Sequence, residues 1–420
     1  MAEIGKPVRR IEDFRLLTGG GRFTDDLSRP QQAHGHVLRA TCAHAMIRNI
    51  DANAARRMPG VLAVLTGADF LADGLAPLRH RGNPKDVELK NADGSPIVTT
   101  PVYPLAVDRV RRVGEPVALI VAETAQQARD AAEVVEPDFE LLDAVASPAA
   151  AMAAGAPRIW DDVPGNLSVH DVKGDAVAVD AAFARAAHVA RFSTFNNRVT
   201  GVPMEPRAAI GEYDPVTGRY TLTAGGQGVM RFQMELAPVF GVAADRIRVV
   251  SHDTGGGYGT RNSTYPEFAL VLWAARRVGR PVKWVSDRSE SFLNDYSGRN
   301  MHTRAELALD KEGRFLALRT ETIADLGSHA ISYVPLAWGA TVTTGAYAIP
   351  AMHVVSKAVL TNTIPTTAYR GAGRPEANFV IERLIDIAAA ETGIDRVALR
   401  RRNLIPATAF PYDAQMGCIY

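Results

Sequence analysis

Apolar positions in this chain fall in short bursts, each closed by a glycine or proline and most followed by a stretch with helical spacing. Gly35 to Ala40 and the run Val61-Leu62-Ala63-Val64-Leu65, which ends at Gly67, predict strands. Between them, Asp51 to Arg57 predicts a short helix with Asp51 as its N-cap. Val117 to Val121 follows the turn residues Gly114 and Pro116 and predicts a buried strand. Thr124 to Val135 predicts an alanine-rich helix that stops before Pro137, because the residue preceding a proline is pushed out of helical geometry. From Arg79 to Pro101 the periodicity lapses, and a polar loop with glycine and proline is expected.

The alanine-rich stretch Ala144 to Pro157 marks a linker. It divides the chain into a lead segment 1–20, an α/β domain 21–145, the linker region 146–165 and a second domain 166–420. In the second domain, Ala178 to Ala187 predicts a helix and Val189 to Val199 a strand. Tyr220 to Thr223 predicts another strand, after which Gly225-Gly226-Gln227-Gly228 bends into a helix from Val229 to Phe240, closed by Gly241. The same unit returns at once. Strand Ile247 to Val250 leads into a glycine run, and a helix leaves from about Tyr265, where Thr264 and Glu267 fit a capping box around Pro266. Val282 to Val285 is a further strand, and Thr303 to Leu309 and Phe315 to Ile323 form a hairpin across Asp310-Lys311-Glu312-Gly313. A third bend, Tyr369-Arg370-Gly371-Ala372-Gly373, precedes a helix from Glu376 to Thr392 that ends at Gly393. The expected fold class is mixed α/β, of the α+β kind.

Composition narrows the function classes mostly by exclusion. Hydrophobic residues at 47% and charged residues at 22% are ordinary for a globular chain. A net charge of +1 gives no electrostatic case for a nucleic-acid or membrane partner. Cys42 and Cys418 are the only cysteines, too few for a disulfide framework, a four-cysteine zinc site or an iron–sulfur cluster held by this chain alone. Cys42 and His44 together fall short of a metal ligand set and read as packing residues. No apolar run approaches the ~18 residues of a membrane span, and the N-terminus lacks a signal-peptide core, so the cytoplasm is the expected location.

The stretch Asp253-Thr254-Gly255-Gly256-Gly257-Tyr258-Gly259-Thr260-Arg261-Asn262 carries the clearest chemistry. Glycines let the backbone bring bare amides close to a ligand, and a helix start welcomes an anion. Two familiar phosphate motifs are absent. No Lys-Ser or Lys-Thr follows the glycines, and the final position of a G-x-G-x-x-G fingerprint falls on Thr260 or Asn262. The three glycine bends carry Gln227, Tyr258 and Arg370, a set that suits a polar, anionic cofactor. From composition alone, a set of structural turns is an equal reading.

The residues also carry a resemblance. The chain resembles the molybdopterin-binding large subunit of the xanthine oxidase and aldehyde oxidase family, which includes carbon monoxide dehydrogenases. Leu17-Thr18-Gly19, Thr24-Asp25-Asp26, Leu38-Arg39-Ala40 through Ala43-His44-Ala45, and Pro59-Gly60-Val61 are similar to the family's α/β hammerhead domain. Met204-Glu205-Pro206-Arg207, Gly255 through Gly259, and Ala368-Tyr369-Arg370-Gly371 are similar to the first half of its molybdenum domain. The resemblance implies a molybdenum–molybdopterin cofactor, in the simple or the cytosine dinucleotide form, held by Gln227, Gly257, Tyr258, Gly259, Arg370 and Gly371. Gln227 would hydrogen-bond an oxygen ligand of the metal, and the amides of Tyr258 and Gly259 would face the cofactor. Arg370 would flank the metal, so that Gln227, Tyr258 and Arg370 surround molybdenum without ligating it. Glu205 and Glu376 belong to other motifs, and Glu205 reads as a structural ion-pair partner.

Departures from the family pattern bear on the substrate. Asn262 stands where purine-oxidising members have a glutamate, and Ala372 where they have an aromatic clamp, which argues against xanthine and leaves aldehydes or N-heteroaromatic compounds. Gly371 occupies the place of the copper-binding cysteine, which argues against copper-dependent CO oxidation. Family large subunits continue for several hundred residues beyond the point where this sequence stops, and the catalytic glutamate lies in that half. No catalytic residue is therefore expected in this chain. The implied partners are a C-terminal molybdenum-domain polypeptide, a 2Fe–2S subunit and an FAD subunit, with no nucleic acid. The alternatives are a truncated or scaffold subunit with no independent catalysis, and an unrelated nucleotide-binding enzyme.

Overall fold

The computed structural model describes residues 4–80, 82, 87 and 89–420. Residues 1–3 of the lead segment, and 81, 83–86 and 88 of the expected loop at 79–101, lie outside the described residues. The main sheet has seven strands, in the order Ile247–Val250, Arg219–Ala224, Ala208–Asp214, Val282–Val285, Ala33–Arg39, Pro116–Ala122 and Val61–Thr66. The last three come from the first expected domain and the other four from the second. The two sets join where Ala33–Arg39 runs parallel to Val282–Val285, with Gly35 opposite Trp284. One sheet therefore crosses the boundary that the linker suggested.

The unbroken apolar run Pro116–Ala122 is buried at every position because each of its faces closes a different core. Leu119 and Val121 join the large central cluster, while Ala118, Ile120 and Ala122 pack in the cluster that includes Ala128, Ala131 and Ala132 of the Ala125–Glu133 helix. The central cluster is built on the Pro266–Val278 helix, whose residues from Pro266 to Ala275 are all buried. Trp273 of that helix meets Phe70 of the first domain edge-on at 5.3 Å, so the helix ties both parts of the chain together.

A second sheet of five strands runs Leu167–Gly174, Ala351–Leu360, Phe315–Gly327, Met301–Leu309 and His188–Asn196. Its core, which contains Leu307, Leu318 and Val354, is closed by Val380, Ile381, Leu384 and Ile385 of the Arg374–Thr392 helix. The expected hairpin is present, with Gly313 at φ 78° in its turn. A small third sheet pairs Ala45–Asp51 with Arg109–Val110 and Glu136–Leu141.

Several local expectations change in detail. The capping box at Thr264 and Glu267 does not form; Tyr265 is the N-cap without a side-chain bond, and Glu267 is fully buried. Its carboxylate takes hydrogen bonds from Arg39 and Arg207, two guanidiniums that offer more than one backbone N–H could. The short helix near Asp51 is Asn53–Arg56 with Ala52 as N-cap, although Asp51 still accepts the N–H of Asn53 at 2.8 Å. The helix expected to run to Phe240 is α-helical over Val229–Leu236 and tightens to a 3₁₀ turn at Ala237–Phe240 before left-handed Gly241. The linker region 146–165 contains the short helix Pro148–Ala151 and places Ala151, Ile159 and Val163 in buried positions.

Candidate cofactor site

The three glycine bends expected to carry the site lie against one another. The N–H of Gly259 donates to Gln227 Oε1 at 2.8 Å, and the N–H of Gln227 donates to Arg261 O at 3.1 Å, so the first bend is sewn to the second. The N–H of Arg370 donates to Tyr258 O at 2.9 Å, and the hydroxyls of Ser263 and Thr367 share a buried hydrogen bond of 3.1 Å, so the third bend is sewn to the same one. Asn262 lies at the first bend, where a Cβ on Gly228 would come 3.2 Å from its Oδ1. Ala372 stays within its own loop, its N–H bonded to Tyr369 O at 2.7 Å.

Two glycines bear directly on this geometry. A Cβ at Gly257 would sit 2.6 Å from Gln227 Oε1. Gly259 has φ +93°, and a Cβ there would lie 2.7 Å from the carbonyl oxygen of Ala368. Tyr258 and Ala372 hold φ of 50° and 39° without being glycine. Such residues cost roughly 1–3 kcal/mol each and persist where the surroundings over-determine them.

Glu205 supplies much of that determination. Its Oε2 accepts the N–H of Gly255 at 2.7 Å and Nη1 of Arg261 at 3.0 Å, and Arg261 Nη2 also donates to the Glu205 carbonyl. Both side chains are buried, so the pair is poorly screened and joins the Met204–Arg207 motif to the glycine run. From the other side, Arg15 grips Asp253 through both nitrogens, at 2.6 and 2.7 Å, and the N–H of Arg22 adds a third bond at 2.7 Å. Those donors hold the Asp253 carboxyl well below its usual range. Neither contact was visible as a pair in the sequence, because the partners are 56 and 238 positions apart. Glu205 read as a structural ion-pair partner with no partner named, and Asp253 showed only as an acidic residue ahead of a glycine run.

What these contacts leave unused defines the chemistry. The N–H groups of Gly256, Gly257, Tyr258 and Gly371 have no acceptor among the described residues. Gly259, expected to offer its amide, has it committed to Gln227, so of the two expected amides only that of Tyr258 is free. Gln227 spends its carbonyl oxygen inside the protein and keeps its Nε2 donor. Arg370 is exposed and has no ion-pair partner among the described residues. Free amides, a free amide nitrogen and a free guanidinium around one hub fit an anionic, oxygen-rich group and would not suit a cation.

Beneath the site, Arg207 is 2% exposed and stacks on Tyr265, with its guanidinium carbon 3.8 Å from the ring centroid. It donates to Asp295 at 2.6 Å and to Glu267 at 2.7 Å. Burial pushes the Glu267 carboxyl up, but Arg207 and Arg39 outweigh it and hold the group at about 2. Arg39 belongs to the first domain, so this buried ion network also crosses the domain boundary.

The sequence profile of the molybdopterin cofactor-binding domain matches residues 159–404, and that of the aldehyde oxidase and xanthine dehydrogenase a/b hammerhead domain matches residues 18–143. The chain is 35% identical over 422 residues to the 6-hydroxypseudooxynicotine dehydrogenase complex subunit gamma of Paenarthrobacter nicotinovorans, covering 100% of this chain and 52% of that one. It superposes on quinoline 2-oxidoreductase from Pseudomonas putida 86 with a TM-score of 0.91 at 34% identity, covering 99% of this chain and 52% of the other. It thus spans about half the length of these relatives. The nicotinate dehydrogenase large molybdopterin subunit of Eubacterium barkeri, 29% identical over 408 residues, is matched over 95% of this chain and 89% of its own length. With the hammerhead and molybdopterin-binding profiles matched along its length, this chain belongs to the xanthine dehydrogenase and aldehyde oxidase family of molybdopterin-binding large subunits.

Proposed function

We propose that this chain holds one side of a molybdenum–molybdopterin cofactor in a molybdenum hydroxylase that oxidises an aldehyde or N-heteroaromatic C–H bond with oxygen from water. The observation that carries this reading is the set of unbonded donors on the three bends: the amides of Gly256 to Tyr258 and Gly371, Gln227 Nε2, and Arg370. The amides would bind anionic oxygens of the cofactor without any cost of rearrangement, since Glu205 and Arg15 already hold the loop. Gln227 would donate from Nε2 to an oxygen next to the metal, and Arg370 would place positive charge beside it. When bound, molybdenum with its pterin supplies the two-electron redox chemistry.

The rest of the machinery belongs to partners. Two cysteines cannot hold an iron–sulfur cluster, so 2Fe–2S and FAD subunits would carry the electrons away. The catalytic base would come from a C-terminal molybdenum-domain polypeptide. Its seat is supported by apolar side chains left exposed beside the bends: Met204 at 87%, Met230 at 65%, Met234 at 60% and Tyr258 at 40%. Asn262, Ala372 and Gly371 support a pocket that serves neither xanthine nor copper-dependent CO oxidation, and the likeness to the quinoline enzyme supports the N-heteroaromatic side of the substrate class.

Metal and pterin analysis tests the reading, on the chain purified alone and after co-expression with a polypeptide that supplies the second half of the domain. Stoichiometric molybdenum and pterin in the complex are expected. A complex that assembles in a molybdenum-replete host but stays empty would make this chain a scaffold, and bound nucleotide instead would make it a different enzyme.

A further inference from the structure

Behind the third bend lies a small assembly with no part in the contacts described so far. Arg299 and Asn300 hold φ of 60° and 66°, two consecutive residues other than glycine in the left-handed region. Asn300 is fastened there by donating to Asp325 at 2.6 Å, while Asp325 returns its own N–H to Asn300 O at 3.0 Å. This posture sets the Arg299 guanidinium over the ring of Tyr369, 4.9 Å from its centroid. The neighbouring Gly298 presses on the same residue, since a Cβ there would fall 2.2 Å from Tyr369 Cβ. Tyr369 is thus held by its face and its stem, and Arg370 is the next residue along the chain.

The same guanidinium reaches forward to the helix that follows the bend. Arg299 Nη1 lies 3.7 Å from Glu376 Oε1, too long for a hydrogen bond. Arg299 Nη1 and Glu376 Oε2 are both buried and have no hydrogen-bond partner. Buried polar atoms left in that state are costly, and ones that persist call for a reason. Packing fixes one side of this helix start, where Gly373 lies against the backbone of Pro335 and Gly339, but leaves space beside Glu376. Gly373, Glu376, Ala377 and Val380 border a cavity of about 30 Å³ lined also by Thr303, Thr320, Thr343 and Ser356. That is space for a water or two beside the Glu376 carboxylate.

We propose that Arg299 and Glu376 are positioning residues for Arg370, acting through Tyr369 and the first turn of the Arg374–Thr392 helix. A single guanidinium then sets both ends of the bend: its face orients Tyr369 on one side, and its charge restrains Glu376 on the other. The open 3.7 Å gap gives the pair travel, so that the bend can settle when an anion meets Arg370. This rests on reading Arg370 as a cofactor-facing residue, but its test does not need the cofactor.

The test is amide hydrogen exchange on the purified 420-residue chain, comparing wild type with Glu376→Gln, Arg299→Lys and Tyr369→Leu. Glu376→Gln keeps the shape and removes the charge, while Arg299→Lys keeps the charge and removes the planar face. Each variant is expected to speed exchange of the bonded bend amides, Arg370 N–H on Tyr258 and Ala372 N–H on Tyr369, by about tenfold or more, with residues 380–388 of the same helix unchanged. Tyr369→Phe, which retains the ring, should exchange like wild type, and adding Glu376→Gln to Arg299→Ala should change the bend no further. Bend exchange within about twofold of wild type in Glu376→Gln and Arg299→Lys would overturn the proposal. So would a parallel rise along the whole helix, which a merely structural role would produce. An absence of molybdenum in the wild-type complex would refute the functional reading and leave the exchange result standing.

Discussion

Gln227 Oε1 and the backbone N–H of Gly259 stand 2.8 Å apart across 32 positions of sequence. That bond turns the glutamine so that its acceptor serves the protein and its Nε2 donor is left for a ligand. Gln227→Glu keeps an acceptor for Gly259 but removes the donor and adds a negative charge. Thermal stability should stay within about 0.5 kcal/mol of wild type, while turnover of the assembled enzyme falls about 10²-fold or more. Gln227→Ala loses both roles and should cost about 1 kcal/mol as well. A Gln227→Glu enzyme with unchanged turnover and molybdenum content would remove the donor role from this residue.

Gly257 and Gly259 should separate in their response to alanine. At Gly257 the obstacle is the movable end of Gln227, 2.6 Å away, and the backbone conformation does not forbid a side chain. Gly257→Ala is expected to cost about 1 kcal/mol or less in stability, yet to push Gln227 out of place and reduce molybdenum content. At Gly259 the positive φ and the Ala368 carbonyl leave nowhere to yield, so Gly259→Ala should cost at least about 2 kcal/mol. Denaturant unfolding with metal analysis on the same samples distinguishes the two. Equal stability losses would contradict this geometry.

Glu205→Gln tests whether the buried pair with Arg261 carries the glycine run. Removing one charge leaves Arg261 buried at 2% side-chain exposure without its counter-ion, and such losses run to about 3–5 kcal/mol. The Gly255 N–H can still find the amide oxygen, so the damage should appear mainly as lost stability with lost cofactor following from it. A loss below about 1 kcal/mol would show the pair to be solvated.

Acid should loosen the junction between the two parts of the main sheet. The folded-state pKa of Glu267 is held at about 2 against an ordinary value of 4.5. The folded state therefore binds the proton more weakly than the unfolded one, and its contribution is complete above pH 4.5. It is lost as pH falls from there towards 2, on the order of 3 kcal/mol in all. Unfolding free energy measured across that range should fall more steeply for wild type than for Glu267→Gln. Parallel curves would mean that another group governs the acid limb.

Much of the fold could be read from residues close together in the chain. Ile247–Val250 and Val282–Val285 run as their apolar bursts indicated, and Gly241, Gly313 and Gly393 adopt the left-handed turns that their positions implied. Backbone preference and side-chain period are local properties, so a short window carries them. The strands Ala45–Asp51, Glu136–Leu141 and Ala351–Leu360 gave no comparable signal. The first two expose polar residues, which leaves them without a clear apolar stripe, and the third breaks its alternation with Ser356 on the buried face and Val355 on the other.

What the sequence by itself determined about the candidate site was its inventory: three bends, each with its glycines and one candidate side chain, and the family to which the chain belongs. Tertiary structure alone decided which donors remain for a ligand. It gave the Gly259 amide to Gln227 and left that of Tyr258 free, drew Glu267 out of a helix cap into a nest of arginines, and ran one sheet through both domains. The physical reason is that each buried donor or charge must find a partner somewhere, and in this protein the partners lie tens to hundreds of positions away. A local pattern can name such a group, but only the packed chain decides what satisfies it.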